Sequence, residues 1–185
     1  NKIAALYYDT VPKENRHGKC QITISTSFFV PKPFTPFEFE PQDSREELIR
    51  KQGIMRTEVH SKKINLDWHN SDTSFLEAVL ARGDRKVGAV IEKAWRKGCN
   101  LDSWDEHFKF DKWMEAFDEC SIDPTFYANR TRKYDEIMPW EVLDYGVSKQ
   151  FFINENKKAH DGVTTPNCRD KCSGCGANCL KGGSC

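Results

Sequence analysis

Five of the eight cysteines fall within the last eighteen residues, and Cys168, Cys172, Cys175 and Cys179 are spaced C-x3-C-x2-C-x3-C. Thiols this close along a Gly/Ser-rich stretch can turn inward together, which is what a tetrahedral metal ion or an iron–sulfur cluster requires. The spacing therefore predicts a metal-binding knuckle, with Cys185, at the terminus, outside the ligand set. It does not choose the metal: an auxiliary iron–sulfur cluster and a structural zinc both fit, and a tail of free thiols is the bland alternative.

The remaining cysteines, Cys20, Cys99 and Cys120, are scattered. That is unlike the dense frameworks of small secreted domains, so a reducing cytoplasm is expected. Lys plus Arg equals Asp plus Glu at 28 each, which disfavours bulk attraction to nucleic acid or an acidic membrane, although a local basic patch would still allow RNA. No apolar run approaches the ~20 residues that span a bilayer, and the amino end lacks a signal-peptide pattern. The chain begins at Asn1 in what reads as the end of a helix, so we expect the downstream part of a longer protein.

Along the chain, residues 20–30 (CQITISTSFFV) alternate and then become continuously apolar, predicting a strand buried at its far end. Pro31, Pro33, Pro36 and Pro41 make the next segment an extended loop. A helix starts at Ser44, where Ser44-x-x-Glu47 forms a capping box, and Gly53 weakens it. Residues 63–68 (KINLDW) form a second strand. Strand, loop, helix, strand is a βαβ-like unit and points to a parallel sheet or barrel. Helices then follow at about 72–82, 85–97, 110–120, 124–127 and 148–159. Gly83 is expected to adopt a left-handed helix end, and Asp84 to cap the next helix.

The strings SFFVPKPFTPFEFEPQ, LEAVLARGDRKVGAVIEKAWRKGC, WMEAF, FYANR and PWEVLDYGVSKQFF through TTPNC resemble the carboxyl-terminal region of cobalamin-binding-domain radical SAM proteins. The resemblance runs from about Ile3 to Cys179. It implies an α/β fold, namely the late part of a radical SAM (β/α) barrel over residues 1–69. A mainly helical extension over 70–161 and a cysteine-rich tail over 162–185 would follow. It also implies a full-length enzyme that holds a 4Fe–4S cluster, S-adenosylmethionine and cobalamin in upstream radical SAM and cobalamin-binding domains. A small adjacent-encoded or fused domain of unknown function would be a further partner. The family's catalytic C-x3-C-x2-C would lie before Asn1, so the chain alone is not expected to perform that chemistry, and its own cysteines form a separate site. The family usually has His where this chain has Phe34.

Four further residues are candidates for substrate contact. On the resemblance, Lys32 and Thr35 of the proline loop would face the barrel mouth. Arg82 and Arg85 flank a helix junction, where two guanidiniums can clamp a carboxylate or phosphate. Catalytic residues are not identifiable. His69 and His107 stand beside aromatics, and Trp95, Trp104, Trp113, Tyr127 and Trp140 are expected to pack as core. No Ser-His-Asp order, HExxH or phosphate-binding glycine loop is present. The expected function is therefore the carboxyl-terminal portion of a radical SAM iron–sulfur enzyme of unknown substrate. The alternative is a zinc-stabilised, non-catalytic module that binds RNA or a partner protein.

Overall fold

A computed structural model describes residues 2–182. The chain divides into two compact units: residues up to Phe29 with Asp43–Phe75, and Val30–Gln42 with the chain from Leu76 onward. The proline loop thus belongs with the helical unit, not with the strands that flank it in sequence.

In the first unit, β1 (Ile22–Thr26) pairs in parallel with β2 (Ile64–Trp68), in a register that sets Ile22 opposite Ile64 and Thr26 opposite Trp68. Their connection includes α2 (Arg45–Glu58). Ser44 accepts the Glu47 amide at 3.3 Å as the capping box predicts, but the Glu47 carboxylate turns instead to Arg50 at 2.7 Å. Gly53 does not interrupt the helix. α1 (Lys2–Thr10) is tied down through Tyr8, whose hydroxyl accepts the Cys20 amide and whose ring lies 4.0 Å from the Lys63 ammonium. Arg45 holds Asp72 at the start of α3 (Ser71–Arg82), the helix within which the two units divide.

Two expectations are corrected here. The chain is not the late part of a radical SAM (β/α) barrel: the described residues form seven α-helices and a sheet of only two parallel strands, so the protein is mostly helical. A two-stranded sheet cannot close, because closure needs enough tilted strands to return to the first. Nor does the first strand run into a buried apolar end. Pro31 and Pro33 cannot join a ladder, β1 stops at Thr26, and Phe29 is half exposed.

The second unit is built from the rest of α3 and from α4 (Val87–Arg96), α5 (Phe110–Glu119), α6 (Thr125–Ala128) and α7 (Lys149–His160). α4 packs on α5, with Val87, Val90 and Ala94 buried on one helix and Trp113, Ala116 and Phe117 on the other. Lys97 bridges Glu115 and Glu119 at the rim. A second core cluster joins Phe39 of the proline loop to Met138, Trp140, Phe152 and Ile153. Gly83 is not left-handed. It is small because a Cβ there would meet Val87 Cγ2 at 2.8 Å and the Val79 carbonyl at 3.0 Å.

Arg82 and Arg132 are buried, at 0% and 3% exposure. The Arg82 guanidinium donates to the Ala128 carbonyl at 3.0 Å and to the Arg130 carbonyl at 3.3 Å, and Arg132 donates to the Arg82 carbonyl at 2.9 Å. The Ala128 and Arg82 carbonyls are ones that helix ends leave without a helical partner, and the Arg130 carbonyl lies just beyond α6. Burial, with the charges of Arg132 and Arg130, pulls the Arg82 pKa down to about 10, so it remains cationic at neutral pH. Replacing Arg82 by Met strips the Arg130 carbonyl of its guanidinium donor and leaves the Ala128 carbonyl with the Gln42 amide alone, and should cost about 1–3 kcal/mol in urea unfolding, whereas Arg85→Ala, at an exposed position, should change stability by less than ~0.5 kcal/mol. Equal effects would show that the buried guanidinium carries no structural weight.

Candidate functional site

The proline loop folds by short-range hydrogen bonds: Thr35 Oγ1 donates to the Lys32 carbonyl at 2.8 Å, and the Glu38 amide donates to the Thr35 carbonyl at 3.0 Å. Phe34 is held at φ 60°, a left-handed conformation that non-glycine residues seldom adopt. What holds it is Glu38. The Oε2 of this carboxylate, whose residue is 3% exposed, accepts the Phe34 amide at 2.8 Å and the Trp140 indole N–H at 2.8 Å. Glu38 Oε1 has no hydrogen-bond partner among the described residues.

Glu38 lines a cavity of about 250 Å³. Phe34, Trp140, Tyr145 and Phe152 form aromatic parts of its wall, with Asp144 and Lys149 also lining it. The Tyr145 ring meets Phe34 edge-on at 4.2 Å and stacks along Phe152 at 6.2 Å. Burial raises the Glu38 pKa above its ordinary value, against the opposing pull of the Phe34 and Trp140 donors and the Lys149 charge; the nearby Glu141 adds to the rise. Tyr145 is pushed up to about 12, first by burial and then by the charge of Glu38. Lys149 is engaged with Glu141 and the Glu136 carbonyl. Sequence reasoning missed this site because a single Glu between phenylalanines carries no periodic signal. Its partner Trp140 is 102 positions away. The unusual density of prolines and phenylalanines around it was the only cue.

The substrate-contact candidates disperse. Lys32 pairs with Glu77 on α3, and Thr35 turns back on its own loop. Arg82 and Arg85 do not form a clamp: the first is buried against backbone carbonyls, while the second is exposed beside Gly83, Asp84, Lys86 and Pro139. Asp84 serves the turn, accepting the Lys86 amide at 2.9 Å and the Tyr127 hydroxyl at 3.0 Å. His69 and His107 are exposed. Trp113, Tyr127 and Trp140 pack as core, but Trp95 and Trp104 are 63% and 60% exposed.

The cysteine tail docks on the helical unit by its backbone. The Ser148 amide, at the start of α7, donates to the Cys175 carbonyl at 3.0 Å. Gly176, at φ 94°, lies so close to the chain that a Cβ there would meet the Gly146 carbonyl at 2.8 Å. Two turns shape the knuckle. The Gly174 amide donates to Cys172 Sγ at 3.4 Å and the Ala177 amide to Cys175 Sγ at 3.5 Å, with Gly174 and Gly176 both left-handed. Each of the two sulfurs therefore already accepts one backbone amide. Cys168, Cys172 and Cys179 are exposed and Cys175 is half-buried. Among the described residues, no three His, Cys, Asp or Glu side chains are gathered closely enough to hold a metal. The donor chemistry fits a thiophilic ion or cluster, but the four sulfurs are not assembled around one centre. Cys185 lies outside the described residues.

No protein-family model matches the chain, and no solved structure matches it. A protein of Methanocaldococcus jannaschii described as uncharacterized protein MJ0966 is 25% identical over 104 residues, covering 55% of this chain. The match spans 22% of that relative's length. Among the described residues, no helix is long and apolar enough to cross a membrane.

Two outcomes test this geometry. Because the folded-state pKa of Glu38 is raised, folding binds its proton more tightly; the stability cost of the charge is absent at low pH and grows as pH climbs past the ordinary carboxylate range. Glu38→Gln should therefore gain stability relative to the parent between pH 4 and pH 7 in urea titrations, and an unchanged difference would contradict the buried charge. Gly176→Ala, which puts a Cβ onto the Gly146 carbonyl, should undock the knuckle, raising hydrogen exchange at the Ser148 amide by about tenfold or more.

Proposed function

We propose that this chain is the carboxyl-terminal part of a radical SAM iron–sulfur enzyme of the cobalamin-dependent type, and that its cysteine tail carries metal. One observation supports the tail's role above others: Cys172 and Cys175 each sit in a glycine turn that aims an amide N–H at the sulfur. Free thiols in an unstructured tail have no reason to adopt paired turns of this kind. The resemblance of the strings that precede the tail supplies the enzyme class. On this reading Cys168, Cys172, Cys175 and Cys179 would hold the group. An iron–sulfur cluster supplies electron transfer when bound, and zinc supplies cross-linking alone.

The primary 4Fe–4S cluster, S-adenosylmethionine and cobalamin belong, on this proposal, to upstream radical SAM and cobalamin-binding domains. A small adjacent-encoded or fused domain would be a further partner. A reducing cytoplasm is the compartment we assign, since the proposed ligands must stay as thiols. The substrate class is left open by the residues themselves.

The second reading, a zinc-stabilised module that binds RNA or a partner protein, is favoured by one feature: three of the four thiols face solvent. Metal analysis and visible absorption of anaerobically purified protein separate the two, with a Cys172→Ser/Cys175→Ser variant as reference. Iron with sulfide and a broad visible band, lost in the variant, is the expected result. Stoichiometric zinc without colour would replace the enzyme reading by the module, and no metal in either protein would overturn both.

A further inference from the structure

The cysteine tail leaves the Glu38 cavity unexplained. Bracing the strained Phe34 and the Trp140 indole is a structural task, and Oε2 alone performs it. The carboxylate nonetheless forms no ion pair among the described residues, and Oε1 is left over. A buried carboxylate without a cation is costly, and a structural bracket of this shape needs no charge at all: a glutamine oxygen would accept the same two donors.

The neighbouring groups do not supply Glu38 with an ion pair. Lys149, the cation that lines the cavity, is committed to Glu141 and to the Glu136 carbonyl. Asp144 adds a second carboxylate to the lining and forms no ion pair among the described residues; its Oδ1 accepts the Gly146 amide at 2.8 Å. Phe34, Trp140, Tyr145 and Phe152 supply aromatic wall, and ring faces attract cations. Trp140 already shows this preference, with the Arg132 guanidinium 5.1 Å from its ring. A buried carboxylate without an ion pair, a second carboxylate at the solvent-exposed rim and aromatic rings beside them describe a receptor for an organic cation. Oε1, as an open acceptor, selects one that still carries an N–H. A volume of about 250 Å³ lies below the ~300–1,000 Å³ of drug-sized pockets and suits a molecule no larger than an amino acid.

We propose that the cavity framed by Glu38, Asp144, Trp140 and Tyr145 is a binding site for a small primary or secondary ammonium compound, its N–H donated to Glu38 Oε1 and its charge set among the aromatic rings. The site takes none of its contacts from a cysteine or from a metal in the tail. The ligand is either a free metabolite amine or the amine of a side chain on a bound peptide, and the chemistry is the same for both.

Calorimetric titration of the full 185-residue chain with n-butylammonium, tetramethylammonium and n-butanol tests the assignment. A short lysine-containing peptide, with its acetylated counterpart as control, separates the two sources. Butylammonium should bind at least about tenfold more tightly than butanol, the difference that charge recognition among aromatic walls provides. Tetramethylammonium, which has no N–H for Oε1, should fall between them. Glu38→Gln should lose about tenfold or more of the butylammonium affinity while keeping its circular dichroism. Should that variant unfold, Asp144→Asn, which keeps an oxygen for the Gly146 amide, and Tyr145→Leu decide the matter, each expected to weaken butylammonium and leave butanol unchanged. Equal binding of butylammonium and butanol, or full affinity in a folded Glu38→Gln protein, would overturn the proposal.

Discussion

Two buried guanidiniums organise the helical unit. Arg82 ends α3 and Arg132 lies in the segment after α6; Arg82 donates to the carbonyls of Ala128 and Arg130, at and just beyond the end of α6, and Arg132 to the carbonyl of Arg82 itself. The Arg132 amide in turn donates to the Phe39 carbonyl at 2.8 Å, and the Gln42 amide donates to the Ala128 carbonyl at 2.9 Å, so the proline loop is laced to the same backbone. Arg130 closes the arrangement through a two-pronged pair with Glu136. Keeping two like charges out of water is expensive, and both guanidiniums have depressed pKa values for that reason. The expense is met by multiple donors per side chain, which a lysine in either position would not provide. Three chain segments distant in sequence thereby share one set of fixed carbonyls, and the Phe39–Trp140 core forms on top of them.

The parts of the fold that were legible in the sequence are those governed by local rules. The helices at Ser71–Arg82, Val87–Arg96, Phe110–Glu119 and Lys149–His160 follow from apolar spacing, and Ser148 caps the last by accepting the Phe151 amide. The parallel pairing of the two short strands was also readable from strand, loop, helix and strand. Strand number was not. A strand's own sequence says that it is extended, not how many neighbours it finds, so the pattern allowed a parallel sheet or a barrel, and the barrel that the resemblance implied failed on topology. Trp95 and Trp104 show the same limit, since hydrophobicity alone did not reveal which face of a helix or turn meets solvent. Arg82 misled in the opposite sense. Arginines at a helix junction read as a ligand clamp, and only tertiary structure distinguishes a backbone carbonyl from a ligand oxygen as the acceptor. Glu38 was invisible because its burial depends on Trp140 and α7 arriving over a proline loop that sequence reading had assigned to the strands.

The cysteine tail and the Glu38 cavity are chemically unrelated but meet on one short stretch of backbone. Val147 faces the cavity, the Gly146 carbonyl lies beneath Gly176, and the Ser148 amide holds the Cys175 carbonyl. Asp144, on the same stretch, sets the turn through the Gly146 amide. Loops that carry function are commonly braced by rigid elements, and here α7 supplies the brace from one side and the knuckle from the other.

The close approach of Gly176 to Gly146 has a thermodynamic consequence. With no room for a side chain between the two backbones, the tail seats in one register or not at all. Anything that orders the knuckle therefore also narrows the conformations open to residues 144–148, and anything that orders those residues prepares a seat for the knuckle. Coupling of that kind is reciprocal by necessity, so occupancy at the thiols and occupancy at the carboxylate would each be felt in the other's affinity, though no side chain joins them.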